Sequence, residues 1–544
     1  MSSKKRTYNL ADLFQIVVET KPDDEALVCG DHRLTYRQLD DRSTKLALWL
    51  KAKGVGAGDT VGIQAVNCAE YVEASLAAFK LRALPANINF RYTIEETRYI
   101  FENAQFKAVV YSAELEEVVQ GSLSASPNIQ ATLRIRDAAT AAPAIAGAVD
   151  YEDALASASG TLDDIARSDD DQILLYTGGT TGMPKGVVWP HKALFFAGLG
   201  GGGNFHPAGA VSAPEELVGR VQEGFYMKML PTAPLMHGAG LWAVLIGLLA
   251  GHTVFLNDKP GFDAEYILDK IVAEGINCIM IVGDAMGLPL LAALQNHPGR
   301  WDLSTLMAVS SSGALLSEHV QKDIAPLLPP YTRLVIAMGS SETGQSGTGA
   351  KPATEGLIAL AKNDTTDVAV SLDEGQWRFA QAGEMGILVR MGNLPLGYYR
   401  DPKKTAETFT QIDGKRCSIS GDSARLEADG TIVVFGRDSQ CINTGGEKVF
   451  TEEVEEAIRS YDGIIDAVVV GIADERWGQK VVGVVSLRAG VAADGSAIRE
   501  HARKHIAGYK VPKDIVFVAE VFRTPAGKAD YRWAKGVAEE QLRA

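Results

Sequence analysis

Residues 34–111 alternate helix-patterned stretches with short apolar ones, and that alternation constrains the fold more than any other feature of the chain. TYRQLDDRSTKLALWLKAKGV spaces apolar residues as one helix face would, DTVGIQAVN reads as a short buried strand, and EYVEASLAAFKLRALPANIN is helical again. Such alternation predicts a layered α/β fold on a largely parallel sheet. It returns at AEYILDKIVAEGINCIMIV (264–282) and after Arg300, with no internal repeat at solenoid periods. At 544 residues the chain exceeds one ordinary core, which predicts two to four domains. The texture changes near Arg437, where a run of strand, helix, strand and strand leads to a tail with its own Gly-Lys turn. The expected division is a large domain of layered α/β subdomains over 1–437 and a small, mobile α+β domain over 438–544.

Two segments lack this regularity. Residues 120–150, rich in Ala, Ser and Pro, predict surface structure of low definition. Residues 199–223 are glycine-rich and then mildly helical, predicting a long loop near a site. GLGGGG (198–203) formally matches a dinucleotide-binding pattern, but Pro207 follows and no helix opens there. The most apolar stretch, GAGLWAVLIGLLAG (238–251), is too short to span a bilayer and predicts a buried helix. A net charge of −15 argues against a nucleic-acid partner while leaving room for a local anion pocket. The five cysteines are scattered and never form C-x-x-C, and MSSKKRTYNLADLF has no apolar run behind its charges. Both features suit a reducing cytoplasm and no signal peptide.

The chemistry-bearing stretch is LLYTGGTTGMPKGVV (174–188). Glycines let backbone N–H groups approach an anion, threonine hydroxyls add donors, and Lys185 supplies a compact positive charge. A phosphate cradle is the functional reading, and a Gly/Thr-rich turn between two strands is the bland one. A Walker A loop is excluded, because Met183 and Pro184 separate Gly182 from Lys185 and Gly186 follows the lysine.

Downstream stand PLMHGAG (234–240), SSGALL (311–316), MGSSETG (338–344), GYYRDPKKTAETF (397–409), SGD (420–422), FGRDSQCINTGGEKVF (435–450) and RTPAGK (523–528). With the glycine-rich loop, these motifs resemble in type and order the acyl-adenylate-forming superfamily of acyl-CoA synthetases, peptide-synthetase adenylation domains and beetle luciferases. The resemblance covers nearly the whole chain. It implies a two-step reaction: a carboxylate attacks the α-phosphate of Mg-ATP to give an acyl-adenylate and pyrophosphate, and a thiol then displaces AMP to give a thioester. ATP, Mg2+ and coenzyme A are the implied cofactors and co-substrates, and a small-molecule carboxylic acid is the implied partner. A homodimer and peripheral contact with lipid are left open.

The resemblance assigns roles position by position. Thr177, Gly178, Gly179, Thr180, Thr181, Gly182 and Lys185 would hold the β- and γ-phosphates, with Gly178 standing where serine is usual. Glu342, in the turn of Gly339, Ser340 and Ser341, matches the magnesium-binding glutamate; the competing view is an exposed carboxylate. Asp422 and Arg437 would hold the ribose, against a turn aspartate and a surface ion pair. His237 matches a gating position beside the acyl carboxylate, against a buried structural histidine. Gly313 and Ala314 would lie on the adenine, Gly445 and Gly446 would meet the pantetheine arm after the small domain turns, and Lys528 matches the adenylation lysine.

Departures bear on affinity and on the pivot. Met338 stands where relatives carry an aromatic residue against adenine, Ser341 replaces threonine, Thr451 replaces proline, and Ser439 lies near the hinge. Gly178, the segment after His191, the pair Gly283-Asp284 and the SSETG turn are similar to actinobacterial synthetases that activate sterol side-chain acids. Medium- or long-chain fatty acids rank next and aryl acids third. The acyl pocket is expected from residues 283–286, 310–314 and 198–223. A stand-alone adenylating module that loads a carrier protein is the alternative class.

Overall fold

Helices begin where the sequence supplies caps. Thr35 Oγ1 accepts from Gln38 N (3.2 Å) while Gln38 Oε1 accepts from Thr35 N (2.8 Å), opening the helix Tyr36–Ala52. Thr93 and Glu96 repeat the device for Ile94–Ala104. The computed structural model describes the chain apart from residues 1–5, 137–144, 180–181, 204–205, 350–357, 373–375, 438–439, 445–446, 475–477, 493, 507, 525–527 and 544. It divides into two compact units, one of residues 1–280, 339–345 and 393–409, the other of 281–338, 346–392 and 410–544.

In the first unit Leu84–Asn87, Thr60–Gln64, Ala108–Ser112 and Ala131–Ile135 lie side by side and parallel. Gln172–Gly179 extends this sheet in parallel, Gly182–Pro190 folds back antiparallel, and Gly397–Tyr398 closes that edge. A second parallel set places Lys228–Pro231 between Thr253–Phe255 and Cys278–Ile281. The helix Gly238–Leu249 is apolar on every side because it is buried on every side, as its sequence predicts. Leu241, Val244, Leu245 and Leu248 join a core that also contains Ile63, Ile173, Val187 and Val254. Burial of each such side chain stabilises the fold by about 1.5–3 kcal/mol over the exposed state.

Within residues 120–150, of which 137–144 lie outside the described residues, Ala131–Ile135 corrects the expectation of loose surface structure. Ala131–Ile135 is a fully buried strand paired with Ala108–Ser112. Its Arg134, 6% exposed, looks like a surface residue in the sequence but forms an ion pair with Glu116 at 2.9 Å. Residues 199–223 keep their glycine-rich start and end in the short helix Leu217–Glu223, whose Leu217 and Val221 are buried.

In the second unit Ala308–Ser311 pairs parallel with Arg333–Ser340. An antiparallel sheet follows, with Lys415–Leu426 between Met385–Met391 and Thr431–Arg437. The C-terminal part is the small α+β layer. Ile464–Asp474 and Gly478–Leu487 pair antiparallel, and Asp514–Val518 adds a parallel strand. Helix Thr451–Arg459 covers one face through Val454 and Ile458, and Tyr531–Arg543 covers the other through Ala534 and Ala538. The fold class is therefore α/β, with layered sheets in the large part and a small α+β part at the C-terminal end.

Candidate functional site

The glycine-rich stretch folds as a β-hairpin. Buried Leu174, Leu175, Val187 and Trp189 anchor its two strands, Thr177 stands opposite Lys185, and Gly179 stands opposite Gly182. Apolar stems with glycine-rich strand ends suit an anion cradle on a sheet edge. Thr180 and Thr181 lie outside the described residues.

The SSETG turn is built by its own hydroxyls. Ser340 N donates to Thr343 Oγ1 (3.0 Å), and Glu342 N donates to Ser340 Oγ (3.2 Å). Gly344 is obligatory here: its φ is +68°, and a Cβ would stand 2.7 Å from Ala197 O. Two aromatic side chains tie this turn to the hairpin. Trp189 Nε1 donates to Ser341 O at 2.8 Å, and Tyr398 OH donates to Glu342 Oε1 at 3.0 Å. The Tyr398 ring also lies 5.5 Å from Lys185 Nζ, and Tyr398 is placed there by pairing with Val187. The structure thus brings Lys185 and Glu342, candidates far apart in sequence, onto one tyrosine.

His237 is half-buried and caps the helix Gly238–Leu249 with its carbonyl, which accepts from Leu241 N at 3.1 Å. Gly240 admits a close backbone approach, since a Cβ would stand 2.3 Å from Pro234 O. Buried Asn87 links this corner to the hairpin. Its Nδ2 donates to Met236 O (2.5 Å) and Tyr176 O (2.9 Å), and its Oδ1 accepts from Tyr176 N (2.6 Å). Sequence reasoning missed Asn87, Trp189 and Tyr398 as organisers. Only Tyr398 carries a signal, lying inside a motif already singled out.

The second unit holds the remaining candidates. Gly313 is exposed at positive φ (81°), and Ala314 is half-buried beside the start of helix Gly283–Asn296. Asp422 is buried and pairs in register with Arg437 on the neighbouring strand; the Arg437 side chain lies outside the described residues. Met338 packs against the core cluster that contains Leu360, Val368 and Leu388. Lys528 is exposed, its carbonyl accepting from Thr524 N at 2.8 Å; residues 525–527 lie outside the described residues. Gly445, Gly446 and Ser439 lie outside the described residues.

Asp284, expected to help wall the acyl pocket, turns into the core instead. It is 2% exposed, accepts from Ser317 N at 2.8 Å, and stands 3.9 Å from Arg459 Nε. A carboxylate removed from water requires such partners, which an apolar acyl pocket would not supply. A separate cleft of about 560 Å3, lined by Arg6, Asp12, Lys80 and Arg167, contains none of the candidates. Its cations are already paired, Arg167 with Asp12 at 2.8 Å and Lys80 with Asp40 at 2.7 Å.

A lysine and a half-buried carboxylate linked by one tyrosine, beside a hairpin with glycine-rich strand ends, are groups suited to a polyphosphate and a hard cation. The model of the AMP-binding enzyme family matches residues 14–399, and that of the AMP-binding enzyme C-terminal domain matches residues 453–528. The chain is 40% identical over 533 residues to 3-oxocholest-4-en-26-oate–CoA ligase of Rhodococcus rhodochrous, covering 97% of this chain and 95% of the relative. It is 40% identical over 551 residues to medium-chain acyl-CoA ligase Mig of Mycobacterium avium, covering 98% and 99%. Among solved structures, an anthranilate CoA ligase, AuaEII, in complex with anthranoyl-AMP aligns with a TM-score of 0.83 at 20% identity over 99% of this chain and 98% of that one, a likeness of fold alone.

Proposed function

Because the chain belongs to the AMP-binding enzyme family, we propose that it is an ATP-dependent acyl-CoA ligase for steroid side-chain acids or medium- to long-chain fatty acids. The observation that carries the reading is 40% identity along nearly the whole chain to ligases named for such acids. The joined placement of Lys185, Tyr398 and Glu342 supports it.

In the first step the acid's carboxylate oxygen attacks the α-phosphorus of ATP. The bond from that phosphorus to the bridging oxygen breaks, and pyrophosphate leaves with the electron pair. AMP is then a good leaving group on an acyl carbon that was a poor donor before. In the second step the CoA sulfur attacks the carbonyl, AMP leaves, and the thiol proton passes to solvent. The hairpin backbone and Lys185 bind the β- and γ-phosphates, Asp422 and Arg437 hold the ribose, and Gly313 and Ala314 leave room for the adenine. Lys528 stabilises charge gathering between carboxylate and α-phosphate. His237 stands at the entry of the acyl carboxylate, and Gly445 and Gly446 receive the pantetheine arm once the small domain has turned about Asp438 and Ser439. Glu342, half-buried and oriented by Tyr398, would hold Mg2+, a hard cation suited to a carboxylate oxygen. When bound, the ion neutralises phosphate charge. Five free cysteines support a reducing cytoplasm as the site of action.

The test is ATP-dependent pyrophosphate release together with acyl-CoA formation, measured for acetate, medium and long fatty acids, a cinnamate and a steroid bearing a side-chain carboxylate. The steroid acid or a medium to long fatty acid should give the highest kcat/KM, with acetate nearly inert and free CoA accepted without a carrier protein. A preference for acetate, an amino acid or a carrier-bound thiol would overturn the reading.

A further inference from the structure

Arg523 opens the RTPAGK motif, and its side chain grips the buried Asp466. Its Nε donates to Asp466 Oδ2 at 2.7 Å and its Nη2 to Asp466 Oδ1 at 2.8 Å, a two-pronged contact that fixes the guanidinium plane. Asp466 is 5% exposed and sits where the strand Ile464–Asp474 slips register against Gly478–Leu487. A register slip of this kind re-aims a side chain. Arg459 backs the same carboxylate, its Nε 3.3 Å from Oδ1, while donating to Glu455 Oε2 (2.9 Å) and Ala467 O (2.8 Å). Burial raises the carboxyl pKa values of Asp284, Glu455 and Glu456 around this cluster. At Asp466 burial is outweighed by the Arg523 hydrogen bonds and the Arg459 charge, and the carboxyl is held below its ordinary range. Asp466 is therefore the ionised anchor of the group.

The anchored arginine is backbone-paired beside Lys528. Arg523 bridges Ala529, Thr524 N donates to Lys528 O at 2.8 Å, and Lys528 N donates to Thr524 Oγ1 at 3.2 Å. Lys528 is thus tied through its own N–H and carbonyl to the residue next to Arg523. We propose that Asp466, acting through Arg523, is a positioning residue for Lys528: the fork fixes the backbone beside Thr524, to which Lys528 is bonded, so the lysine meets the reacting phosphate in one geometry. The proposal rests on the reading of Lys528 as the adenylation lysine. A purely structural ion pair could be replaced with little kinetic consequence. A positioning pair cannot, because a misplacement near 1 Å costs a reaction about a hundredfold.

The experiment compares Asp466→Asn, Arg523→Lys and Lys528→Ala in the full chain, each assayed for acyl-adenylate formation and, separately, for thioester formation from preformed acyl-adenylate and CoA. Thermal unfolding and far-ultraviolet circular dichroism establish that each variant is folded. Arg523→Lys keeps the charge but loses the fork, and it carries the test should Asp466→Asn fail to fold. Adenylation should fall at least about tenfold in both positioning variants, with thioester formation within about twofold of the parent. Equal loss in both half-reactions, or loss in neither, overturns the proposal. If Lys528→Ala splits the half-reactions and Arg523→Lys does not, the positioning claim alone falls. If Lys528→Ala leaves adenylation intact, the reading of Lys528 falls and takes the positioning claim with it.

Discussion

The hydroxyl of Tyr398 donates to Glu342 Oε1 at 3.0 Å while its ring stands 5.5 Å from Lys185 Nζ, so one side chain orients both the anionic and the cationic member of the candidate phosphate site. Tyr398→Phe keeps the ring and removes only the hydrogen bond. A hydrogen bond to a charged group contributes about 1.5–3 kcal/mol, so the KM for Mg-ATP should rise roughly tenfold or more. Pyrophosphate exchange titrated with Mg2+ checks this, together with direct binding of Mg-ATP to the resting protein. Unchanged Mg-ATP affinity by both measures would remove Tyr398 from the site.

Asn87 holds the hairpin to the segment before His237 with three buried hydrogen bonds, at 2.5, 2.9 and 2.6 Å. Asn87→Ala strands the Tyr176 N–H and two carbonyls away from water. Each unpaired buried group costs about 1–3 kcal/mol, and partial relaxation should leave a net loss of about 3 kcal/mol or more. Urea unfolding monitored by tryptophan fluorescence reads it directly. A change below about 1 kcal/mol would show that water or backbone shifts replace these bonds.

What is legible in the sequence is whatever chemistry sits within one short stretch. The hairpin around Lys185, the SSETG turn and the all-apolar helix Gly238–Leu249 each carry their own reason for existing, and each folds as its residues dictate. What is not legible depends on a partner remote in the chain. Arg134 reads as surface until Glu116 pairs with it, and Asp284 reads as a pocket residue until Arg459 is packed beside it. Tyr398 sits in a motif whose sequence says nothing of Glu342, because their hydrogen bond is created by the strand Gly397–Tyr398 joining the hairpin edge. Composition misleads at Ala131–Ile135 for a related reason: short apolar strands hide among Ala, Ser and Pro when their neighbours supply the burial.

His191 should make the first unit acid-sensitive. It is fully buried, its Nδ1 accepts from Leu10 N at 3.2 Å, and its ring meets Phe79 edge-on at 4.7 Å. Burial lowers its pKa from 6.5 to about 4. The unfolded chain therefore binds a proton at a pH where the folded chain does not. The stabilisation is whole above pH 6.5 and is lost as pH falls toward 4, by an amount on the order of 3 kcal/mol. His191→Gln, which cannot ionise, should unfold with a shallower dependence between pH 7 and 4.5. Identical slopes in parent and variant would mean that His191 does not titrate differently on unfolding.

Lys528 is the sharpest case, because an exposed lysine near a chain end is ordinarily a solvated group. Here its backbone is closed onto Thr524 through both N–H and carbonyl, and the motif's first residue is clamped by a buried carboxylate. A surface lysine needs neither constraint. Its charge is useful only while negative charge gathers between the attacking carboxylate and the α-phosphate, so its role ends with the first step. Lys528→Ala should cut acyl-adenylate formation by roughly two or more orders of magnitude, the range for a lost charge-stabilising group. Supplied with preformed acyl-adenylate and CoA, the same variant should make thioester at nearly the parent rate. Lys185→Ala, by contrast, should be partly rescued by raising Mg-ATP, since its contact is with the β- and γ-phosphates of the ground state as well as the transition state. Saturating Mg-ATP that restored Lys528→Ala as well would assign that lysine to binding instead of to the chemical step.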